Sequence, residues 1–301
     1  MNRLPVRTRI APTPSGFLHI GNLYSFVLTW LMAKSRGGSV LLRIDDLDAA
    51  RMRPAYLEDI FRTLDFIGLA PDEGPSGVED FLKNYSQVHR VEDYLQFINK
   101  LKGSGQVYAC SCPRSRIMAE NPNGIYPGTC RSRNLDFGSG AVALRLALPA
   151  ESRVQFCDVL TGEKSNISLT EEMGDFVVLR KDGIPAYQVA SLVDDLHYGI
   201  NMVVRGRDLL TSTAAQIYLA KLAGLNAFST MQWHHHALFK NEQGQKLSKS
   251  AGDMSVRMMI EKGINREDII RRIASLMNLP EKPFKTLYDL QLFFNEHSFI
   301  S

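Results

Sequence analysis

The first hundred residues alternate between strand-like and helix-like patterns. Val6 to Ile10 reads as a short strand, ended by Ala11-Pro12-Thr13-Pro14-Ser15-Gly16, where two prolines and a glycine cannot continue a regular element. Beyond Asn22 the apolar residues Leu23, Phe26, Val27, Trp30 and Leu31 fall at helical spacing, and Gly37-Gly38 closes that stretch. Val40 to Ile44 predicts a strand buried on both faces. Strand, loop, helix and strand in close succession make a βαβ unit, which calls for a parallel sheet. A second helix is predicted from Pro54, with Leu57, Ile60, Phe61 and Leu64 inward and Gly68 as its stop. A third carries Val91, Tyr94, Leu95, Ile98 and Leu101.

From Gln106 the texture changes. Val142, Leu144, Leu146 and Leu148, then Val154 and Phe156, alternate in short stretches between turns such as Asn121-Pro122-Asn123-Gly124 and Lys181-Asp182-Gly183. Strand–helix alternation returns with Asn201 to Gly206 as a strand, Leu209 to Leu222 as a helix and Trp233 to Phe239 as a strand. After Ser250 the pattern is mostly helical, with Ile264, Ile269, Ile270 and Ile273 facing a core. The predicted class is α/β, with a Rossmann-like parallel sheet in two halves, residues 1–105 and 186–250. An inserted α+β module fills 106–185 and a helical tail 251–301.

Composition narrows the setting. A hydrophobic fraction of 45% and a charged fraction of 22% over 301 residues are ordinary for a globular chain. No run approaches the roughly 20 apolar residues that span a bilayer. The start moves directly into a strand-like pattern without an apolar signal core, so a cytoplasmic location is expected. Lys and Arg number 35 against 32 Asp and Glu, so a nucleic-acid partner must be met by local patches. Arg266, Arg271 and Arg272 are candidates for such contacts, although a solvated face explains them as well.

Three of the four cysteines, Cys110, Cys112 and Cys130, crowd into one loop-rich stretch. That favours a metal over disulfides. The spacing leaves the fourth ligand open. Cys157 is a candidate, but its strand-like surroundings suit a buried free thiol. In His234-His235-His236, strand alternation puts His234 and His236 on one face, where a ligand-side or packing role is expected rather than a metal.

Two segments carry candidate phosphate chemistry. His19-Ile20-Gly21-Asn22 lies where the loop enters the first helix, and free N–H groups with the helix dipole make a phosphate seat there. His19 can donate to a phosphate oxygen, and Gly21 lets a ligand approach the backbone. Lys246-Leu247-Ser248-Lys249-Ser250, after the turn Asn241-Glu242-Gln243-Gly244, offers charge to a transferring nucleotide. The absence of G-x-G-x-x-G and of a Walker A lysine argues against a dinucleotide enzyme and a P-loop NTPase.

In this order the two segments resemble the signature pair of class I aminoacyl-tRNA synthetases. Arg9-Ile10-Ala11-Pro12-Thr13-Pro14-Ser15-Gly16 and Arg43-Ile44-Asp45-Asp46-Leu47-Asp48 resemble R-x-A-P-S-P-[ST]-G and R-I-E-D-T-D of the glutamyl-tRNA synthetase family. Ala186-Tyr187, Val193-Asp194-Asp195 and Val204-Arg205-Gly206 follow in family order, so the resemblance spans residues 7 to 250. It implies ATP, with Mg²⁺, at His19, Gly21, Asn22 and Lys249, and catalytic roles for His19, Lys246 and Lys249. It also implies glutamate at Arg9, Ala11, Thr13, Asp45, Tyr187 and Arg205; the planar fork of arginine suits a carboxylate. The implied reaction is attack of the amino-acid carboxylate on the α-phosphate of ATP, with pyrophosphate leaving and no covalent nucleophile from the protein. Two positions depart from the family: Asp45 is one methylene shorter than the family glutamate, and Asn22 replaces the last His of H-I-G-H.

Cys110-x-Cys112, Tyr126 and Cys130 also resemble the C-x-C…Y-x₃-C of the short glutamyl-queuosine offshoot of that family. On that resemblance alone Tyr126 is the fourth ligand of one structural Zn²⁺. The 51 residues after Ser250 are fewer than a full family member's anticodon-binding region would need. Together these imply glutamate activated without tRNA and transferred by a monomer to queuosine in the anticodon of tRNA(Asp). Two alternatives stand. One is a small synthetase charging a tRNA 3′ end with glutamate or another acidic amino acid. The other is a non-catalytic binding protein, against which the intact His19, Lys246 and Lys249 count.

Overall fold

The βαβ unit forms as the spacing predicts, from β1 (Arg7–Ile10), α1 (Ile20–Lys34) and β2 (Ser39–Leu42). In the computed structural model, which describes residues 5–138, 140–238 and 254–297, β1 and β2 pair in parallel with Arg7 opposite Ser39 and Ile10 opposite Leu42. The ladder ends at Leu42, earlier than the expected Ile44, because the proline-rich loop facing it offers few N–H groups. The backbone still runs alongside: Arg43 N donates to Ile10 O at 3.0 Å and Asp45 N to Pro12 O at 2.9 Å.

Helix α2 (Pro54–Ile67) begins on its proline and stops at Gly68, which takes the left-handed conformation at φ 73°. Leu57, Ile60 and Leu64 are buried, while Phe61 stays half-buried at the rim of a surface cleft lined by Leu64, Leu69 and Pro75. The chain continues through α3 (Val91–Lys102), β3 (Val107–Cys110), β4 (Ala143–Leu146), β5 (Arg153–Cys157), β6 (Lys164–Ser168) and β7 (Val177–Leu179). It closes with α4 (Tyr187–His197), β8 (Met202–Gly206), α5 (Leu210–Leu222), β9 (Gln232–His236), α6 (Val256–Glu261), α7 (Arg266–Leu276) and α8 (Leu287–Glu296). Among the described residues no helix is long and apolar enough to cross a membrane.

The chain divides into two compact units. The first comprises Met1–His89, Ile200–Arg207 and His234–Ser301. Here β8 packs beside β1, fastened by Asn201, whose N–H donates to Arg7 O at 2.9 Å and whose Oδ1 accepts from Arg7 N at 2.8 Å. Strand β9 pairs with β8. Leu23, Val27 and Leu31 of α1 meet this core, and the tail belongs to it as well. Ile269, Ile270 and Ile273 of α7 and Leu290 and Phe293 of α8 are buried, and both helices pack against α1. Ile264 is only half-buried. At about 1.5–3 kcal/mol for each fully buried aliphatic side chain, the three α7 isoleucines make the tail part of the unit's core.

The second unit comprises Arg90–Gly199 and Asp208–Trp233. Its antiparallel sheet has the order β3-β4-β7, and β5 and β6 form a separate antiparallel pair. The expected alternation fails along β4, where Ala143 to Leu146 are all buried, Arg145 included. Both faces are covered there, and Arg145 is accommodated because its Nη1 donates to Asp175 O at 2.6 Å. A buried ion pair joins α3 to α4: Asp194, 0% exposed, accepts from Arg90 Nε at 2.8 Å and from Tyr94 Oη at 2.7 Å. Burial and the Asp194 charge push the Tyr94 hydroxyl pKa upward.

Candidate active site and metal cluster

At the start of α1 the backbone leaves its first N–H groups without helical partners. His19 is the N-cap, and its Nδ1 accepts from Asn22 N at 3.3 Å, while Asn22 Oδ1 accepts from His19 N at 3.1 Å. Asn22, which stands where the family motif has a histidine, supplies one half of this reciprocal cap. With Nδ1 accepting, the neutral ring carries its proton on Nε2, which is then a donor. Gly21 leaves room beside it, since a Cβ there would sit tightly, 3.1 Å from His19 Cε1 and Nδ1. Two further groups fix the approach to this helix. Asp59 on α2 accepts from Leu18 N at 3.0 Å, and Val256 N donates to Leu18 O at 2.8 Å, beside an antiparallel bridge between His19 and Ser255.

Arg9 on β1 and Arg205 on β8 are each 4% exposed and sit on neighbouring strands of the first unit. Guanidinium groups at that depth must be met by anionic or polar groups. Ala11 and Thr13 lie in the loop leaving β1, with Ala11 half-buried and Thr13 exposed. Asp45 lies alongside that loop through its hydrogen bond to Pro12 O, and its carboxylate is engaged by Arg43 from two nitrogens, at 2.7 and 3.2 Å. Arg43 and Asp45 stand two positions apart on an extended segment, a spacing that puts both on one face. Tyr187 opens α4 in the second unit and is 39% exposed. Lys246 and Lys249 lie outside the described residues.

The histidine run lies in the interior. All three rings are buried, and His236 meets Tyr24 of α1 edge-on at 5.1 Å between ring centres. The tail arginines are partly engaged: Arg266 Nε donates to Phe66 O and Arg271 pairs with Asp268.

In the second unit the sulfurs of Cys110, Cys112 and Cys130 all lie within 4.8 Å of one another and are buried. Tyr126 joins them, its Oη 3.3 Å from Cys110 Sγ and 3.5 Å from Cys112 Sγ, and accepting from Cys130 N at 2.8 Å. Burial opposes ionisation of Cys130, yet hydrogen bonds from Tyr126, the Ser111 backbone and Cys112 prevail and bring its thiol down to about 6. Burial pushes the Cys112 thiol up. Cys157 is a free thiol on β5 but is exposed rather than buried, because its strand presents that face to solvent. The loop is held by Asp175, which accepts from Tyr108 Oη at 2.6 Å, Arg131 Nε at 2.9 Å and Leu148 N at 2.9 Å. Arg145 lies 3.9 Å over the Tyr126 ring. Asp175, Tyr108, Arg131 and Arg145 were not singled out from sequence, since each acts across a large sequence separation.

A parallel βαβ unit with a capped histidine at its helix start and buried arginines on adjacent strands fits one class of enzyme. The family described as tRNA synthetases class I (E and Q), catalytic domain, matches residues 5–286, and the chain belongs to it as a ligase enzyme. Within that class it groups with the glutamyl-Q tRNA(Asp) synthetases. It is 37% identical over 291 residues to the one from Symbiobacterium thermophilum, covering 91% of this chain and 87% of that protein. It is 40% identical over 242 residues to the one from Pseudomonas putida, covering 80% of this chain and 75% of that protein. Among solved structures, a glutamate-tRNA synthetase from Elizabethkingia anophelis is similar, with a TM-score of 0.78 and 26% identity over 96% of this chain. The chain spans 65% of that protein's length.

Proposed function

We propose that the chain activates glutamate with ATP, without tRNA, and transfers the glutamyl group to queuosine in the anticodon of tRNA(Asp). The observation that carries this reading is the pair of buried guanidinium groups, Arg9 and Arg205, on neighbouring strands that both pack against α1. Two carboxylates of one substrate match two forks. Ala11 and Thr13 belong to the same amino-acid site, and Asp45 receives the α-ammonium group. The phosphates of ATP take the N–H groups of the first turn at Gly21 and Asn22, with His19 donating from Nε2. Lys246 and Lys249 add charge where it develops on the phosphates. Mg²⁺, bound with ATP, supplies further neutralisation of phosphate charge.

Cys110, Cys112, Cys130 and Tyr126 would hold one structural Zn²⁺. A tetrahedral site with Zn–S near 2.3 Å has ligand–ligand edges of about 3.8 Å, close to the 3.5 Å between Cys112 and Cys130 sulfurs. Four protein ligands would leave no open position, so these residues would use the ion to brace the loop and not for chemistry. In this reading residues 1–105 and 186–250 are the nucleotide-binding halves, 106–185 the zinc-bearing insertion and 251–301 the tail of a cytoplasmic monomer. The shared name of the relatives supports the acceptor.

The test is ATP–pyrophosphate exchange without tRNA, run in parallel with glutamate, aspartate and glutamine. Glutamate alone should support exchange. Labelled glutamate should then attach to tRNA(Asp) containing queuosine and not to the same tRNA lacking it; equal labelling of both would indicate charging of the 3′ end instead.

A further inference from the structure

Arg43 is a buried cation that the proposed reaction leaves without a task. Its side chain is 1% exposed and that of Asp45 10%. Nε donates to Asp45 Oδ1 at 2.7 Å and Nη2 to Oδ2 at 3.2 Å, so one edge of the guanidinium spans both carboxylate oxygens. The backbones of both residues are anchored on the neighbouring strand and loop, at Ile10 O and Pro12 O. The next residue is locked as well. Asp46 accepts from Ser86 Oγ at 2.5 Å and Gln87 N at 2.8 Å, and Gln87 Oε1 accepts from Leu47 N at 3.0 Å.

These contacts remove both backbone and rotamer freedom from the carboxylate at position 45. A carboxylate offers about four lone-pair sites, and a bidentate partner occupies two of them. Such a carboxylate can accept from more than one cation, and the first partner fixes the direction from which a second approaches. The short side chain matters here. A glutamate would carry its carboxylate about 1.5 Å further from the backbone, away from the Nε–Nη2 edge.

We propose that Arg43 is a positioning residue that aims the Asp45 carboxylate at the substrate's α-ammonium group, and so sets the preference for an amino acid over a plain dicarboxylate. This rests on the amino-acid site proposed above. Glutarate, which is glutamate without its α-amino group, separates the two contributions. The pair of arginines should bind both compounds, whereas Asp45 distinguishes them.

The experiment compares the KM for glutamate with the inhibition constant of glutarate in pyrophosphate exchange, for the wild type and Arg43→Lys. Lysine keeps the charge and loses the fork. The glutamate-over-glutarate preference should shrink by about tenfold, with the KM for ATP and glutarate inhibition unchanged. Arg43→Gln should act in the same direction, which keeps the test available if the lysine variant does not fold. In an Asp45→Asn background Arg43→Lys should have no further effect on the ratio. An unchanged ratio in both folded Arg43 variants overturns the proposal, as does a full additional effect on top of Asp45→Asn. Wild-type protein that activates glutamate without favouring it over glutarate also overturns it while leaving the proposed function standing. Absence of glutamate activation removes both.

Discussion

His19 and Asn22 cap each other: the imidazole Nδ1 takes the Asn22 N–H, and the Asn22 side chain takes the His19 N–H. One ring nitrogen therefore serves the fold, and the proposed phosphate contact falls to the other. His19→Asn separates these roles, because an asparagine oxygen can replace Nδ1 as the cap acceptor but nothing replaces Nε2. The variant should keep its melting temperature, whereas His19→Ala should lose about 1 kcal/mol of stability. Both should lower the rate of adenylate formation by about 100-fold. Full exchange activity in a folded His19→Asn protein would contradict the assigned role.

Arg205 stands on a strand whose neighbours Val203 and Val204 are buried, so its position is fixed by the core. Arg205→Ala should cut kcat/KM for glutamate by about two orders of magnitude, since removing one partner of a buried charge pair leaves the other uncompensated. Arg205→Lys should recover only part of this, because an ammonium cannot bind a carboxylate with a fork. Exchange at the wild-type rate in Arg205→Ala would refute the clamp.

The sulfur cluster makes a separate prediction. Purified protein should contain one zinc per chain, and Cys130→Ser should contain none by elemental analysis. Gly174 offers a probe that leaves the ligands intact. It has φ 62° and bridges to Tyr126, and an added Cβ would lie 2.8 Å from Tyr126 O and 2.9 Å from Ile125 Cγ2. Gly174→Ala should therefore lower stability by about 1–3 kcal/mol and accelerate zinc loss to a chelator. Retention of zinc at the wild-type rate would show that this backbone contact does not brace the loop.

The sequence made some of this legible and hid the rest for physical reasons. The βαβ unit follows from local signals, namely helical spacing from Leu23 to Leu31 and the proline-rich loop, and both are preserved in the fold. Residues acting through their own backbone neighbourhood, such as His19 and Gly21, were recognisable for the same reason. Asp59, Asp175 and Arg145 were not, because each acts on a partner far away in sequence: Leu18 for Asp59, Arg131 for Asp175, the Tyr126 ring for Arg145. Periodicity misjudged β4, since an alternating pattern assumes one wet face and Arg145 is buried by its bond to Asp175. It also misjudged Cys157, where a strand was correctly expected but its face was not.

Asp72 links α1 to β2 and gives a pH-dependent prediction. Its carboxylate takes the Lys34 ammonium at 2.5 Å and the Val40 N–H at 2.7 Å. Burial alone would raise its pKa, but Lys34 and the Val40 N–H outweigh that and hold it below the ordinary carboxylate value. A carboxyl depressed in the folded state stabilises the fold above its unfolded pKa, and that contribution disappears as pH falls through the folded value. Asp72→Asn should thus melt below the wild type at neutral pH, and the gap should close as pH drops below about 4. The difference should be modest and should shrink in salt, because the pair is partly exposed. Melting temperatures of both proteins followed from neutral to acid pH provide the check; a gap that persists unchanged in acid would mean that the variant loses shape or packing rather than charge.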